Sequence, residues 1–204
     1  MDALGLYSAY REDDGTFTFE PAYIETPPPV FLRLLVPWLS QLGQRASYAG
    51  GDCGPACLAM WLRYLGHDVT VDDVSPRCWA WPGFSYTMPA HIINGARHWG
   101  VDLYWGRYLY LRDVLAELDA GQPVIVLVNY PALPARYDAN YARGHWLLIT
   151  GYTDTEIFYH DPYWRDVSAQ AGADIHISQA DFMRAWGLNV LNGNSVFQAL
   201  RMRR

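Results

Sequence analysis

The hydrophobic positions of this chain fall into three kinds of run. Between Gly54 and Gly66, Cys57, Leu58, Trp61, Leu62 and Leu65 recur at helical spacing, which predicts a helix buried on one broad face. Pro89–Trp99 and Leu111–Asp119 repeat that spacing and are stopped by Gly100 and Gly121, and Gln179–Trp186 predicts a last helix. Pro123–Val128 is apolar at almost every position, as a central strand covered on both faces is. Val101–Trp105, His145–Thr153, Glu156–His160 and Ser195–Met202 predict further strands, the middle two joined by a turn at Thr153-Asp154-Thr155. Near the start, alternation on either side of Asp13-Asp14-Gly15 predicts a β-hairpin within residues 4–24. Residues 36–41 read as extended, Val69–Asp73 as a short strand or a helix start, and 76–89 as a loop holding Trp79, Trp81, Phe84 and Tyr86. Helices come mostly before antiparallel strands, the order of an α+β fold. The stiff stretch Thr26-Pro27-Pro28-Pro29 separates the hairpin from the body, so residues 1–30 read as an arm and 31–204 as the main domain.

Composition narrows the classes. A chain of 204 residues suffices for one domain with a full core, and 51% hydrophobic with 18% charged residues marks it as globular. The net charge of −6, with no basic run, excludes a nucleic-acid footprint. All 15 basic residues are arginine, so Schiff-base chemistry and a P-loop lysine are excluded. The start lacks a basic segment followed by an apolar one, and no run is long enough to span a membrane. A cytoplasmic protein without a membrane segment is therefore expected. Three cysteines argue against a disulfide framework, and none has the spacing of a zinc pair, so neither cofactor nor metal is expected.

The chemistry gathers at Gly50-Gly51-Asp52-Cys53-Gly54-Pro55-Ala56. Proline is tolerated only in the first turn of a helix, which puts Cys53 at the helix start, where free N–H groups and the helix dipole favour an anionic sulfur. Cysteines so placed can have their pKa lowered to roughly 3.5–7.5, the range of thiolate nucleophiles. Cys57, one turn on, reads as core packing. Gly144-His145 opens an apolar strand, which fixes the direction of the imidazole while the glycine leaves its edge open. Asp161 ends the following strand, because Pro162 cannot continue a ladder. A hairpin makes these two positions cross-strand neighbours, so Asp161 can accept the imidazole N–H as a third triad member does. The plainer alternative for Asp161 is that it caps the turn. His160 points to the opposite face by strand alternation and ranks below His145. An oxyanion donor is also needed, and Gln41 and Gln44 are the candidates beside the Cys53 N–H.

Taken in order, these motifs resemble the papain-like cysteine peptidases and, more narrowly, the bacterial group related to double-glycine leader peptidases that process bacteriocins. The matching residues are Val36-Pro37, Ser40-Gln41, Asp52-Cys53-Gly54-Pro55-Ala56, Gly144-His145-Trp146, Gly151-Tyr152 and Asp161-Pro162, and the resemblance covers about residues 36–200. It implies a papain-like α+β fold with the nucleophile at the N-terminus of a central helix packed on an antiparallel sheet. It further implies Cys53 as nucleophile, His145 as general base and acid, Asp161 as its orienter, Gln41 as oxyanion donor, and a peptide or protein substrate. The loop from Gln41 to Cys53 is longer than in papain-like enzymes generally, which keeps Gln44 open, and no transporter segments follow, so bacteriocin export is not implied. Transglutaminase-like acyl transfer and a non-catalytic peptide-binding module are the competing expectations.

Overall fold

The computed structural model describes residues 7–11, 17–21, 31–42, 51–78, 86–165, 170–188 and 196–203. The Asp13-Asp14-Gly15 turn, the Thr26–Pro29 stretch, Gln44 and the aromatic residues Trp79, Trp81 and Phe84 lie outside them. Strands β1 (Tyr7–Arg11) and β2 (Phe17–Pro21) pair antiparallel as a separate two-stranded sheet, in keeping with the alternation about residues 13–15. The body runs β3 (Phe31–Arg33), α1 (Cys53–Tyr64), α2 (Val71–Cys78), α3 (Pro89–Arg97), β4 (Leu103–Gly106), α4 (Leu111–Asp119) and β5 (Val124–Asn129). It continues through β6 (Gly144–Thr153), β7 (Glu156–His160), β8 (Ile175–Ser178), α5 (Gln179–Gly187) and β9 (Gln198–Met202).

The body's sheet has the order β4-β9-β5-β6-β7-β8, with β3 paired to β6 off that path, and every pair is antiparallel. Strand β5 is central and buried on both faces, because its alternation divides two cores. Ile125 and Leu127 meet Cys57, Leu58, Trp61 and Leu62 of α1, while Val124, Val126 and Val128 meet Val114 and Leu118 of α4 and Phe182, Ala185 and Trp186 of α5. Helix α1 therefore lies in one covered layer, buried over its first ten residues, and gives its N-terminal residue a rigid mount.

Strand β6 carries three neighbours. Gly144–Ile149 pair with β5, Gly151–Thr153 pair with β3 on the same edge, and β7 pairs along the other edge past a β-bulge between Ile149 and Gly151. Glycine is required at 151 because a Cβ there would run into the Leu32 carbonyl and the Arg33 Cα, both backbone.

Three local readings are sharpened. Residues 34–40 form no strand; the strand of this region is β3, just before them. Val69–Asp73 resolves as the start of a helix, with Thr70 at its entrance bonding Asp73 (Thr70 N to Asp73 Oδ2 2.9 Å), and that helix runs into the expected loop as far as Cys78 despite Pro76. Strand β8, which includes His176, forms an edge of the sheet.

Replacing Gly151 with alanine is expected to lower stability by about 1–3 kcal/mol by prising β3 from β6. The urea midpoint checks it, and an unchanged midpoint would contradict the close approach.

Candidate active site

Asp52 precedes α1, and the first intrahelical bond runs from Ala56 N–H to Asp52 O (2.8 Å). Pro55 is the third helical residue, where the missing N–H would have had no partner. Asp52 does not cap its own helix. Its carboxylate instead accepts the hydroxyl of Ser75 on α2 (2.6 Å). The first-turn N–H groups of α1 are thus left without that side chain, with Cys53 standing among them. The tip is packed hard: a Cβ on Gly54 would strike Ile92 of α3 and the Cβ of Thr87.

Thr87 ties this tip to β6. Its hydroxyl donates to Gly51 O (2.7 Å) and its carbonyl accepts from Trp146 Nε1 (2.9 Å), so the residues before Cys53 and the residue after His145 share one anchor. The Cys57 thiol donates to Trp146 O (3.5 Å) and is fully buried, and burial, helped by the nearby Cys53 and Asp161, pushes its pKa up. Cys57 is core, as expected.

His145 and Asp161 meet directly. The imidazole Nε2 lies 2.7 Å from Asp161 Oδ1, with His145 1% and Asp161 0% exposed. The ladder pairs Leu148 with His160, so the contact is diagonal across the two strands, not directly opposite. With Nε2 on the carboxylate, Nδ1 is the nitrogen left for the Cys53 thiol, which is also a hydrogen-bonding neighbour of the ring. Burial alone opposes a charged ring, but the Asp161 charge and hydrogen bond, with Cys53, outweigh it and hold the His145 pKa up at about 10.

The carboxylate of Asp161 is fully engaged. Oδ1 also accepts from Tyr163 N–H (2.9 Å), the local turn that the sequence offered as the plainer alternative, and Oδ2 accepts from Trp164 Nε1 (3.1 Å). Asp161 thus contacts the imidazole and also closes this turn. The rings of Tyr130, Tyr141 and Tyr163 stand 4.9, 6.3 and 5.9 Å from the His145 ring and wall it off. Tyr163 and Trp164 were missed from sequence; their signal is that a short turn must carry their donors back over the preceding aspartate.

Gln41 is buried, at 3% exposure, on a segment stitched along residues 160–164. Val36 O accepts from His160 Nε2 (2.8 Å), Trp38 Nε1 donates to Asp161 O (2.9 Å), Ser40 Oγ to Trp164 O (2.5 Å), and Gln41 N–H to Pro162 O (2.8 Å). His160 is a strut in this seam. Its Nδ1 accepts from Asp174 N–H (3.0 Å) and burial lowers its pKa, so it stays neutral. Among the described residues, no group of three His, Cys, Asp or Glu is arranged to hold a metal, and no helix is long and apolar enough to cross a membrane.

An antiparallel sheet between helical layers, with a cysteine at the tip of a buried helix and a histidine at the head of an adjoining strand, defines the papain-like fold of cysteine peptidases. The chain belongs to the Peptidase_C39 like family, whose model matches residues 33–189. Solved structures of the same fold include a candidate C39-like peptidase from Bacillus anthracis, with TM-score 0.61 and 16% identity over 86% of this chain and 98% of that one. A double glycine motif protease from an AMS/PCAT transporter, solved with its leader peptide, has TM-score 0.52 and 19% identity over 85% and 96%. The peptidase domain of Streptococcus ComA, a bi-functional ABC transporter in quorum sensing, has TM-score 0.50 and 17% identity over 78% and 93%. No curated protein matches the chain.

The His145 pair makes stability depend on pH. Its pKa in the folded protein, about 10, lies above the ordinary 6.5, so its stabilisation is complete below 6.5 and is lost as pH rises toward 10. The urea midpoint is expected to fall over that window, and the difference between wild type and His145→Gln to shrink with it. A constant difference would refute the assignment.

Proposed function

We propose that the protein is a cysteine peptidase that cleaves peptide bonds through a thioester, with Cys53 as nucleophile, His145 as general base and acid, and Asp161 as its orienter. The observation that carries this reading is the buried Nε2–Oδ1 contact of His145 and Asp161 beside a cysteine at a helix tip. Family membership supports a peptidase, and the leader peptide bound by one structural relative makes a peptide the natural substrate class.

In this mechanism the Cys53 thiolate, formed by proton transfer to His145, attacks the scissile carbonyl carbon. The carbonyl oxygen becomes an oxyanion facing the Cys53 N–H and the Gln41 side chain. Collapse expels the amine, which takes the proton held by His145, and leaves a thioester on Cys53. Water then attacks the thioester while His145 removes its proton, and the acid product departs as the thiol is restored. Asp161 keeps the Nε2 proton in place and offsets the imidazolium charge throughout. The same reading divides the chain into an arm over residues 1–30 and a peptidase domain over 31–204.

Iodoacetamide at mildly acidic pH is expected to alkylate Cys53 ahead of Cys57 and Cys78, both wholly buried with raised pKa values. Peptide mapping reads the order, and equal slow labelling of all three would count against a thiolate. Cys53→Ala should abolish peptide hydrolysis, and His145→Ala should cut kcat by roughly a hundredfold or more. Activity that survives Cys53→Ala would remove the thiol from the mechanism.

A further inference from the structure

The rim of the proposed cleft carries a charge that the mechanism does not use. Arg143 lies two residues before His145, and its guanidinium sits over the ring of Tyr86, 4.8 Å from the centroid, with Nη1 also donating to the Tyr86 hydroxyl. Both residues are exposed. The contact falls at the cleft on both sides. Tyr86 precedes Thr87, the residue that anchors Gly51 and Trp146. Arg143 precedes Gly144, whose carbonyl accepts from the Tyr141 hydroxyl (3.2 Å) beside the His145 ring.

Among the described residues, no carboxylate forms an ion pair with Arg143. Other arginines of the body do form such pairs: Arg33 with Asp174, Arg63 with Asp68, Arg184 with Asp181, Arg201 with Glu117 and Arg203 with Asp102. Arg136, half-buried on the same loop as Arg143, adds a second cation, and the nearby Asp138 is engaged with Asn140 N–H (2.8 Å) and the Tyr163 hydroxyl. A chain of net charge −6 thus carries an exposed arginine with no carboxylate ion pair two residues before its proposed general base. The contact with Tyr86 uses Nη1 and leaves the other guanidinium N–H groups as donors for a carboxylate.

We propose that Tyr86 and Arg143 form a carboxylate-reading subsite, so that this enzyme prefers peptides bearing an acidic side chain or a free C-terminal carboxylate near the scissile bond. The proposal rests on the peptidase reading of Cys53 and His145 and names the substrate class of that site.

The test uses fluorogenic peptides in which one Glu is moved through a Gln background, each made as the free acid and as the C-terminal amide. At low salt the wild-type enzyme is expected to favour Glu at one position, or acid over amide, by roughly fivefold in kcat/KM, the scale of an exposed oriented ion pair. A position-dependent Glu effect assigns the carboxylate to a side chain, and an acid-over-amide effect assigns it to the chain end. Arg143→Gln should bring the ratio toward one, Arg143→Lys should keep part of it, and salt should weaken it. Equal turnover of acidic and neutral peptides, or a preference that outlives Arg143→Gln, overturns the proposal. The same peptides are titrated against the full-length Cys53→Ala protein by fluorescence anisotropy, which needs no turnover. An Arg143-dependent acid preference there, with no cleavage by wild type, keeps the subsite and retires the peptidase. No acid preference in either measurement overturns the subsite.

Discussion

The buried contact between His145 and Asp161 is the constraint on which the rest of the site depends. Two ionisable groups with almost no exposed surface are tolerated in a core only when each remaining donor and acceptor is filled. Here the filling comes from the Tyr163 N–H and the Trp164 indole on the carboxylate and from Cys53 on the imidazole. The aromatic wall excludes water from the pair, and exclusion strengthens the attraction it encloses.

Holding Asp161 in place requires the two ends of the described body to meet. Residues 36–41 run beside 160–164 through five hydrogen bonds, each joining groups more than a hundred residues apart in sequence. Gly172 closes the same spot, since a Cβ there would overlap the Asp161 carbonyl and the Trp38 indole. Gln41 and Asp161 thus share one seam, and the group proposed to face the oxyanion is registered to the group that orients the imidazole.

What was legible in the chain beforehand was local. Gly54 and Pro55 act within a single helical turn, so the place of Cys53 follows from its neighbours alone. Gly100 and Gly121 adopt positive φ at the ends of α3 and α4 where expected, and the unbroken apolar run of β5 declared a strand covered on both faces. Phe31–Arg33 has no alternation of its own and becomes a strand only because Gly151 lets it approach β6. Thr70 and Asp73 carried a helix-entry signal that Pro76 obscured. His145 and Asp161 were recognised as partners, but the bulge in β6 and their diagonal offset depend on pairing geometry, which spacing does not encode. The donors that satisfy Asp161 come from a turn whose course is set by the seam with residues 36–41, so no local pattern announces them.

The diversion of Asp52 to Ser75 has a consequence for how such a protein can be tuned. The carboxylate next in sequence to the sulfur is held from α2, a helix that contributes none of the proposed reacting groups. Were Ser75 withdrawn, the carboxylate beside Cys53 would lose the hydroxyl that ties it to α2. A substitution at Ser75 therefore reaches the start of α1 from a neighbouring helix.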